Sequence, residues 1–329
     1  MSSLISEHEE ARIWVTEQKE AFAHRDAFAK LISAVIWTDN PGEHGEPLVP
    51  AKPRALIEEI NRTGMPLLRD HDPGAPAGRF LQAKAFNTSE GRTFVAAILG
   101  YYTDAVRVTF GQLGIDADAA ASPPALLPSP PDYVIEIATD PREVDPKWLD
   151  HSLGDAPQEV VRHQLSHNAA DVAQELIRIG LPYILLVWNP FVTSVASEAG
   201  KQTYAALHQW LRRFFERLAG RLKPIVSLQS IQRECEVSFL FRGNDVKRNY
   251  AAHGQLSVAA AQAAQLIDHM GTRGAAPRAL IYEFDVEADR WYPSFAELHD
   301  GTIVSDRNVL IAIEQLPSQL SLGLIQDHS

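Results

Sequence analysis

The chain has 329 residues, of which 45% are hydrophobic and 22% are charged, and its formal net charge is −12. This composition is typical of a globular chain with enough mass for more than one domain. The acidic balance argues against an extended interface with duplex nucleic acid, because such an interface needs clustered lysine and arginine to neutralise phosphates. A single cysteine, Cys235, excludes an intramolecular disulfide and favours a reducing compartment. No apolar run approaches the ~20 residues of a membrane span, so we predict a cytoplasmic protein that does not enter a membrane.

The first part of the chain predicts a helix followed by a β-rich domain. Apolar residues at helical spacing indicate an amphipathic helix within residues 1–31. Residues 32–115 read as strands and turns, with a short helix that begins near Pro53 and ends before Gly64 and a second helix over residues 104–115. Residues 116–131 contain five prolines and five alanines. Because proline fixes φ and removes a hydrogen-bond donor, this stretch predicts an extended linker between two domains.

Residues 132–329 predict an α/β layered domain to which the sequence assigns no function. Strands alternate with helices, which are predicted around residues 156–179 and 197–219. The first of these helices is expected to bury Leu165, Val172, Leu176 and Ile177. Residues 183–188 are predicted as a buried strand, and residues 291–312 as a hairpin that turns at residues 299–301. The whole chain is therefore predicted to be α+β, with a β-rich first domain and an α/β second domain.

One segment near residue 70 differs from ordinary globular sequence. His71 lies between two carboxylates, Asp70 and Asp72, where a strand is predicted to end. A neighbouring carboxylate can fix the tautomer of an imidazole and raise its basicity, and the pair can then take a proton from a hydroxyl group. A structural interpretation competes with this one, in which His71 satisfies its neighbours at a strand end and Gly78 permits a bulge. Both interpretations stay open on the sequence alone.

The order of elements over about residues 32–115 resembles the N-terminal half of phage prohead (capsid maturation) proteases, of the assemblin-like serine protease class. The resemblance rests on a phrase made of Pro66, Leu67, Leu68, His71, Asp72, Pro76, Gly78 and Arg79. It implies a prohead-protease-like domain in which His71 is the general base and Asp70 or Asp72 orients it. The segment where that family keeps its serine has none in a comparable setting here. Ser321, in the phrase LSLGL near the C-terminus, and Ser238, in the phrase VSFLF, have similar local surroundings but are distant in sequence.

A second candidate site is a series of polar residues spaced four apart. His163, His167, Asp171 and Glu175 would share one face of the helix predicted around residues 156–179. Imidazole and carboxylate ligands together suit zinc, manganese or iron. The same spacing fits an exposed polar helix face equally well. A divalent metal ion on His163, His167 and Asp171 is the only cofactor that the sequence suggests.

A basic run lies at the end of the second predicted helix of this domain. It consists of Arg212, Arg213, Arg217, Arg221 and Lys223. Such a run can contact phosphates, but it is also typical of the solvated face of an amphipathic helix, which is the interpretation that we prefer.

These observations favour an interaction, sensing or assembly module of a bacterial or phage system, of the prophage or phage-defence type. Its protease-like domain is predicted to have lost peptidase activity. The alternatives are an active serine peptidase that uses His71 and a metal-dependent hydrolase with its ligands on the helix at residues 163–175. The predicted partners are other proteins, encoded in the same operon or by a phage, and the chain is compatible with a homo-oligomer.

Overall fold

The computed structural model describes residues 2–25, 28–40, 52–69, 72–102, 107–117, 119, 132–166, 175–187, 198–306, 320–321 and 324–326. The chain forms two compact units. The first comprises Met1–Arg107, Gln164–Asp171 and Leu310–Ser329, and the second comprises Val108–His163 and Val172–Val309. Both helices and strands are abundant, and the strands form two sheets, so the chain is a mixed α+β protein.

The helices and strands are named here in chain order. The helices are α1 (Ser2–Glu7), α2 (Glu9–Phe22), α3 (Pro53–Thr63), α4 (Pro146–Leu153), α5 (Tyr183–Val187), α6 (Glu198–Arg217), α7 (Val246–Gly254) and α8 (Leu256–Thr272). The strands are β1 (Phe28–Thr38), β2 (Met65–Arg69), β3 (Pro76–Asn87), β4 (Thr93–Tyr102), β5 (Arg107–Val108), β6 (Ile135–Thr139), β7 (Val160–Ser166), β8 (Glu175–Gly180), β9 (Pro224–Gln232), β10 (Cys235–Arg242), β11 (Pro277–Asp285), β12 (Arg290–Leu298), β13 (Ile303–Val304), β14 (Leu320–Ser321) and β15 (Leu324–Gln326).

The first unit is built on a five-stranded sheet with the order β1-β4-β3-β2-β14. All of its pairs are antiparallel. Strand β4 is buried along almost its whole length, because helices cover both faces of the sheet. On one face, Leu56 and Ile60 of α3 pack against the sheet, and on the other face Trp14 and Val15 of α2 do so. The near-continuous apolar run of β4 is what burial on both faces requires.

Strands β3 and β4 approach closely at a pair of glycines. A Cβ atom added to Gly78 would lie 2.1 Å from the carbonyl oxygen of Gly100. Gly78 lies opposite Tyr101 in the antiparallel register and one position from the register partner of Gly100. The glycine predicted to permit a bulge thus serves a close backbone approach within the sheet.

The second unit contains a mixed sheet with helices packed on one face. Its strands follow the order β7-β6-β8-β9-β10-β11-β12-β13, and β5 lies beside β13. The β8–β9 and β10–β11 pairs are parallel, and each is joined by a helical crossover. One large apolar cluster joins this sheet to helices α4 to α8, with Trp210, Phe214 and Phe239 among its fully buried side chains.

Two elements of the second unit differ from the sequence prediction. The helix predicted around residues 156–179 is wrong, because its described parts form strands β7 and β8. Strand β8 buries Ile177 and Ile179 in the helical cluster, while Leu176 is buried outside that cluster. The strand predicted at residues 183–188 is also wrong over its described part, which is helix α5. Short apolar runs fit a strand or a buried helix equally well, and tertiary packing decides between them.

Other local predictions are confirmed. Helix α3 begins at Pro53 and ends before Gly64. The φ of Gly64 is +63°, and glycine adopts a positive φ more easily than other residues do. Helix α6 lies within the range predicted for it, and β12 and β13 form the predicted hairpin. Among the described residues, no helix is long and apolar enough to cross a membrane.

Candidate functional site

The segment around His71 is described only in part. Asp70 and His71 lie outside the described residues, whereas Asp72 lies in the turn between β2 and β3. The Asp72 carboxylate accepts a hydrogen bond of 2.8 Å from the Gly74 backbone N–H. The Asp72 N–H donates to the Arg69 carbonyl, at 2.9 Å, and its own carbonyl accepts from Ala75, at 3.0 Å. Asp72 therefore stabilises the turn through the local bonds that aspartate commonly makes there.

The C-terminal candidate Ser321 lies beside this segment in the first sheet. Strand β14 pairs antiparallel with β2, so that Ser321 lies opposite Leu68 and Leu320 lies opposite Arg69. The chain therefore returns from its C-terminal region to the strand that leads into His71. Sequence reasoning had no signal for this return, because it depends on pairing between strands that are about 250 residues apart.

The predicted metal stripe is not present as a helix face. His163 lies in strand β7 and is partly exposed, while His167 and Asp171 lie outside the described residues. Glu175 begins strand β8 and binds Arg221. Positions four apart do not share a helical face once the segment forms two strands. Within the described part of the chain, no group of three or more His, Cys, Asp or Glu residues could hold a metal ion.

The basic run at the end of α6 is largely engaged within the second unit. Arg213 and Arg217 both donate to the Asp155 carboxylate, at 2.5 Å and 2.7 Å. These bonds, first that of Arg217 and then that of Arg213, lower the pKa of Asp155 from 3.8 to about 2. Arg221 donates to Glu175 at 2.5 Å and lies over the Trp148 ring. Three of the five cations thus stabilise the fold through carboxylate partners.

A cluster that the sequence did not reveal lies where α5, α6 and α7 meet. The Nδ1 atom of His208 lies 2.8 Å from the Nε2 atom of His253. The other ring nitrogen of His208, Nε2, lies 3.3 Å from the carbonyl oxygen of Leu185. A carbonyl oxygen only accepts, so His208 carries its proton on Nε2, and its Nδ1 then accepts from the Nε2–H of His253. The two imidazoles therefore form a directed chain that ends on the backbone of α5.

Burial keeps both imidazoles neutral. Desolvation lowers the pKa of His208 from 6.5 to about 4, against a raising effect of the Leu185 carbonyl. The pKa of His253 is lowered to about 3, mainly by desolvation and then by the neighbouring His208 and the positive charge of Arg212. At neutral pH, both rings are therefore uncharged, and one nitrogen of each ring carries a lone pair without a proton.

Aromatic and charged side chains surround the histidine pair. The Tyr204 ring lies 4.0 Å from the His208 ring, centroid to centroid. The Arg212 guanidinium lies 4.5 Å from the centre of the Tyr250 ring, and the Tyr250 hydroxyl donates to the Glu216 carboxylate. Four of these residues follow one another at intervals of four along α6, namely Tyr204, His208, Arg212 and Glu216. That spacing was the available signal, since such positions share one helix face, but nothing in it identifies His253 as the partner.

The pair can donate and accept hydrogen bonds, transfer a proton between its rings, or bind a metal ion through its ring nitrogens. No family model, no curated protein and no solved structure matches the chain, so the comparisons assign it to no family.

Proposed function

We propose that the protein is an interaction and assembly module that pairs edge to edge with a second copy of itself through strand β1. The observation that carries this proposal is the position of β1 at the end of the five-stranded sheet. Strand β1 has 11 residues and pairs with β4 alone among the described strands. A long edge strand offers a row of backbone donors and acceptors on which another strand can add.

The composition of β1 supports pairing rather than protection of the edge. Natural edge strands commonly avoid association by being short or by carrying proline and several charges. Strand β1 has no proline, and Lys30 is its only charged residue. The edge therefore lacks proline and multiple charges, although its pairing with β4 shifts register between Phe28 and Lys30 and between Val35 and Trp37, and irregularities of this kind hinder the addition of another strand.

A second copy fits this edge by symmetry and by charge. Two identical strands that pair antiparallel about Ser33 place Lys30 opposite Ile36 and Leu31 opposite Val35. No two like charges then lie opposite each other, which avoids the main cost of cross-strand pairing. Such a contact is isologous and closes at a dimer, the commonest symmetric assembly.

The experiment compares self-association of the full chain with that of two variants at Ser33. Ser33→Lys places a charge at the centre of the edge, and Ser33→Thr is the matched control that keeps a residue suited to strands. We expect light scattering to show a dimer for the natural chain and Ser33→Thr, and a monomer for Ser33→Lys. Hydrogen exchange of β1 amides should slow as protein concentration rises, whereas exchange in β4 should not change. A monomer at every concentration, with β1 exchange independent of concentration, contradicts the proposal.

A second candidate function rests on the position of Ser321. We propose as the alternative a serine peptidase in which His71 takes the proton of the Ser321 hydroxyl as its oxygen attacks a peptide carbonyl. The pairing of Ser321 with Leu68, three residues before His71, supports this candidate. This pairing brings Ser321 next to the strand that precedes His71, although the two residues are far apart in the sequence.

A fluorophosphonate probe tests this candidate, because an activated serine displaces its fluoride and forms a stable bond to phosphorus. An active site predicts labelling of the natural chain and loss of labelling in Ser321→Ala and in His71→Gln. Ser238→Ala is the matched control, since Ser238 is fully buried in β10 of the second unit. Absence of labelling in the natural chain, or labelling that persists in Ser321→Ala, contradicts the peptidase and leaves the self-association test unaffected.

A further inference from the structure

We infer that His208 and His253 form a binding site for a divalent first-row transition-metal ion, held by two imidazole nitrogens and completed by water. The two nitrogens that face each other, Nδ1 of His208 and Nε2 of His253, are 2.8 Å apart. They come from two helices, α6 and α7, whose packing within one apolar cluster fixes the distance between them. This site lies in the second unit and is independent of the function proposed above.

The hydrogen bonds around His208 already match those of a metal-binding histidine. Its Nε2–H donates to the Leu185 carbonyl oxygen, at 3.3 Å, which leaves the Nδ1 lone pair directed towards His253. Histidine ligands commonly donate their second ring N–H to a carbonyl in this way, and the bond fixes both tautomer and ring orientation. His253 becomes a ligand when its proton moves from Nε2 to Nδ1, which changes no net charge.

The distance between the rings requires only a small adjustment. Zinc–nitrogen bonds are about 2.0–2.1 Å long, so two tetrahedral nitrogen ligands lie about 3.3 Å from each other. The two ring nitrogens would therefore separate by about 0.5 Å to admit the ion. Because the rings face each other along a hydrogen bond, both must also rotate to direct their lone pairs at one ion.

Ligand type selects the class of ion. Imidazole nitrogen suits copper, nickel and zinc, whereas calcium and magnesium require oxygen ligands. The positive charge of Arg212 acts on His253 and weakens the binding of a cation. A site with two protein ligands close to the positive charge of Arg212 is expected to bind its ion with moderate affinity. Copper is favoured because, among the divalent first-row ions, it binds such ligands most tightly.

The experiment measures Cu²⁺ binding to the full chain without an affinity tag. Equilibrium dialysis should show one bound ion per chain in the natural protein. Replacing either ligand, in His208→Gln or His253→Gln, should weaken this binding by about tenfold or more. His269→Gln is the matched control, because His269 is exposed on α8 and makes no contact with the pair. Equal binding in all four proteins overturns the proposal.

A spectroscopic readout keeps the test decisive if a variant fails to fold. Electron paramagnetic resonance of the natural chain with one equivalent of Cu²⁺ reports the nitrogen nuclei bound to the metal. Coupling to two imidazole nitrogens, together with a raised melting temperature that depends on Cu²⁺ concentration, supports the site. Coupling to none or to one nitrogen, or binding of several ions with no effect on melting, overturns it.

Discussion

The central strands of the two units are both buried on two faces but differ in the residues at their ends. Strand β4 of the first unit carries no charged residue and is buried on both faces. Strand β10 of the second unit is buried from Val237 to Phe241, with Val237, Phe239 and Phe241 against the helices and with Ser238 and Leu240 buried outside the helical cluster. Glu236 and Arg242 flank this buried stretch. Burial on both faces favours an apolar run, and β10 ends that run with a charged residue on each side. The comparison teaches that the second unit has to accommodate charges close to its core.

The second unit contains nearly buried ion pairs in addition to exposed ones such as Arg162–Asp150. In the first unit, Arg54 and Glu58 pair on the surface of α3 with side chains 91% and 65% exposed. In the second unit, Arg221 and Glu175 pair with side chains only 15% and 11% exposed. A charge that is nearly buried depends on its partner, whereas an exposed charge is stabilised by water. The predictions below test this division, from the largest expected effect to the smallest.

Removal of a core side chain from the second unit should have the largest effect. Phe214 is fully buried and packs against Trp148 and Trp210, at centroid distances of 5.9 Å and 5.7 Å. We expect Phe214→Ala to lower the free energy of unfolding by about 3–5 kcal/mol, because it leaves a cavity. Gln209→Ala, on the exposed side of the same helix, should change it by less than about 0.5 kcal/mol. Equal effects in urea denaturation would contradict the assigned core.

Loss of the buried cation should come next. Arg221→Met leaves the nearly buried Glu175 carboxylate without the guanidinium, although the Leu222 N–H still lies 3.4 Å from it. We expect the free energy of unfolding to fall by about 2–3 kcal/mol, the scale for a hydrogen bond to a charged group. Adding Glu175→Gln to Arg221→Met should recover part of this loss, because the amide carries no charge. A double variant less stable than Arg221→Met would contradict the explanation.

Acid should destabilise the metal-free second unit through the histidine pair. The pKa values of His208 and His253 are lowered from 6.5 to about 4 and about 3. The unfolded chain therefore binds protons in a pH range where the folded chain does not. Their contribution to stability is fully present above pH 6.5 and is lost as pH falls towards 4 and 3. The positive charge of Arg212 contributes to the lowered pKa of His253.

Urea denaturation over a pH series measures this effect. The double variant His208→Gln, His253→Gln should show a smaller decrease in unfolding free energy between pH 6.5 and pH 4 than the natural chain, because two proton-binding groups are absent from its unfolded state. Parallel stability curves for the two proteins would show that the imidazoles are not buried as described.

The exposed ion pair of the first unit should give the smallest effect. Arg54→Met removes the partner of Glu58, a residue that water already solvates. We expect a change of less than about 0.5 kcal/mol, which added salt should reduce further. The same substitution type at Arg221 then provides the comparison, in which Arg221 loses its contacts with the Glu143 carbonyl oxygen and the Trp148 ring as well as a nearly buried ion pair. If Arg54→Met lowered the free energy of unfolding as much as Arg221→Met does, the distinction between exposed and nearly buried ion pairs would be wrong.

Local signals explain which elements were predicted correctly. Helix α3 is bounded by Pro53 and Gly64, whose backbone preferences act on the nearest residues whatever the fold. Helix α6 has an apolar face long enough that no strand could satisfy its period. The segment around residues 156–179 lacked such signals, and its polar spacing imitated a helix. Leu165, Leu176 and Ile177 are nevertheless buried as predicted, because burial follows from side-chain hydrophobicity whichever backbone conformation forms.

The sequence by itself determined the mixed α+β class, the helices with clear boundaries and most of the side chains that would be buried, since hydrophobicity and backbone preference are properties of short segments. Only the tertiary structure decided that Ser321 pairs with the strand before His71. It also decided that His208 meets His253, which lies 45 residues further along the chain. Contacts of this kind depend on how strands pair and helices pack, and a single sequence records no distance between residues that are far apart along it.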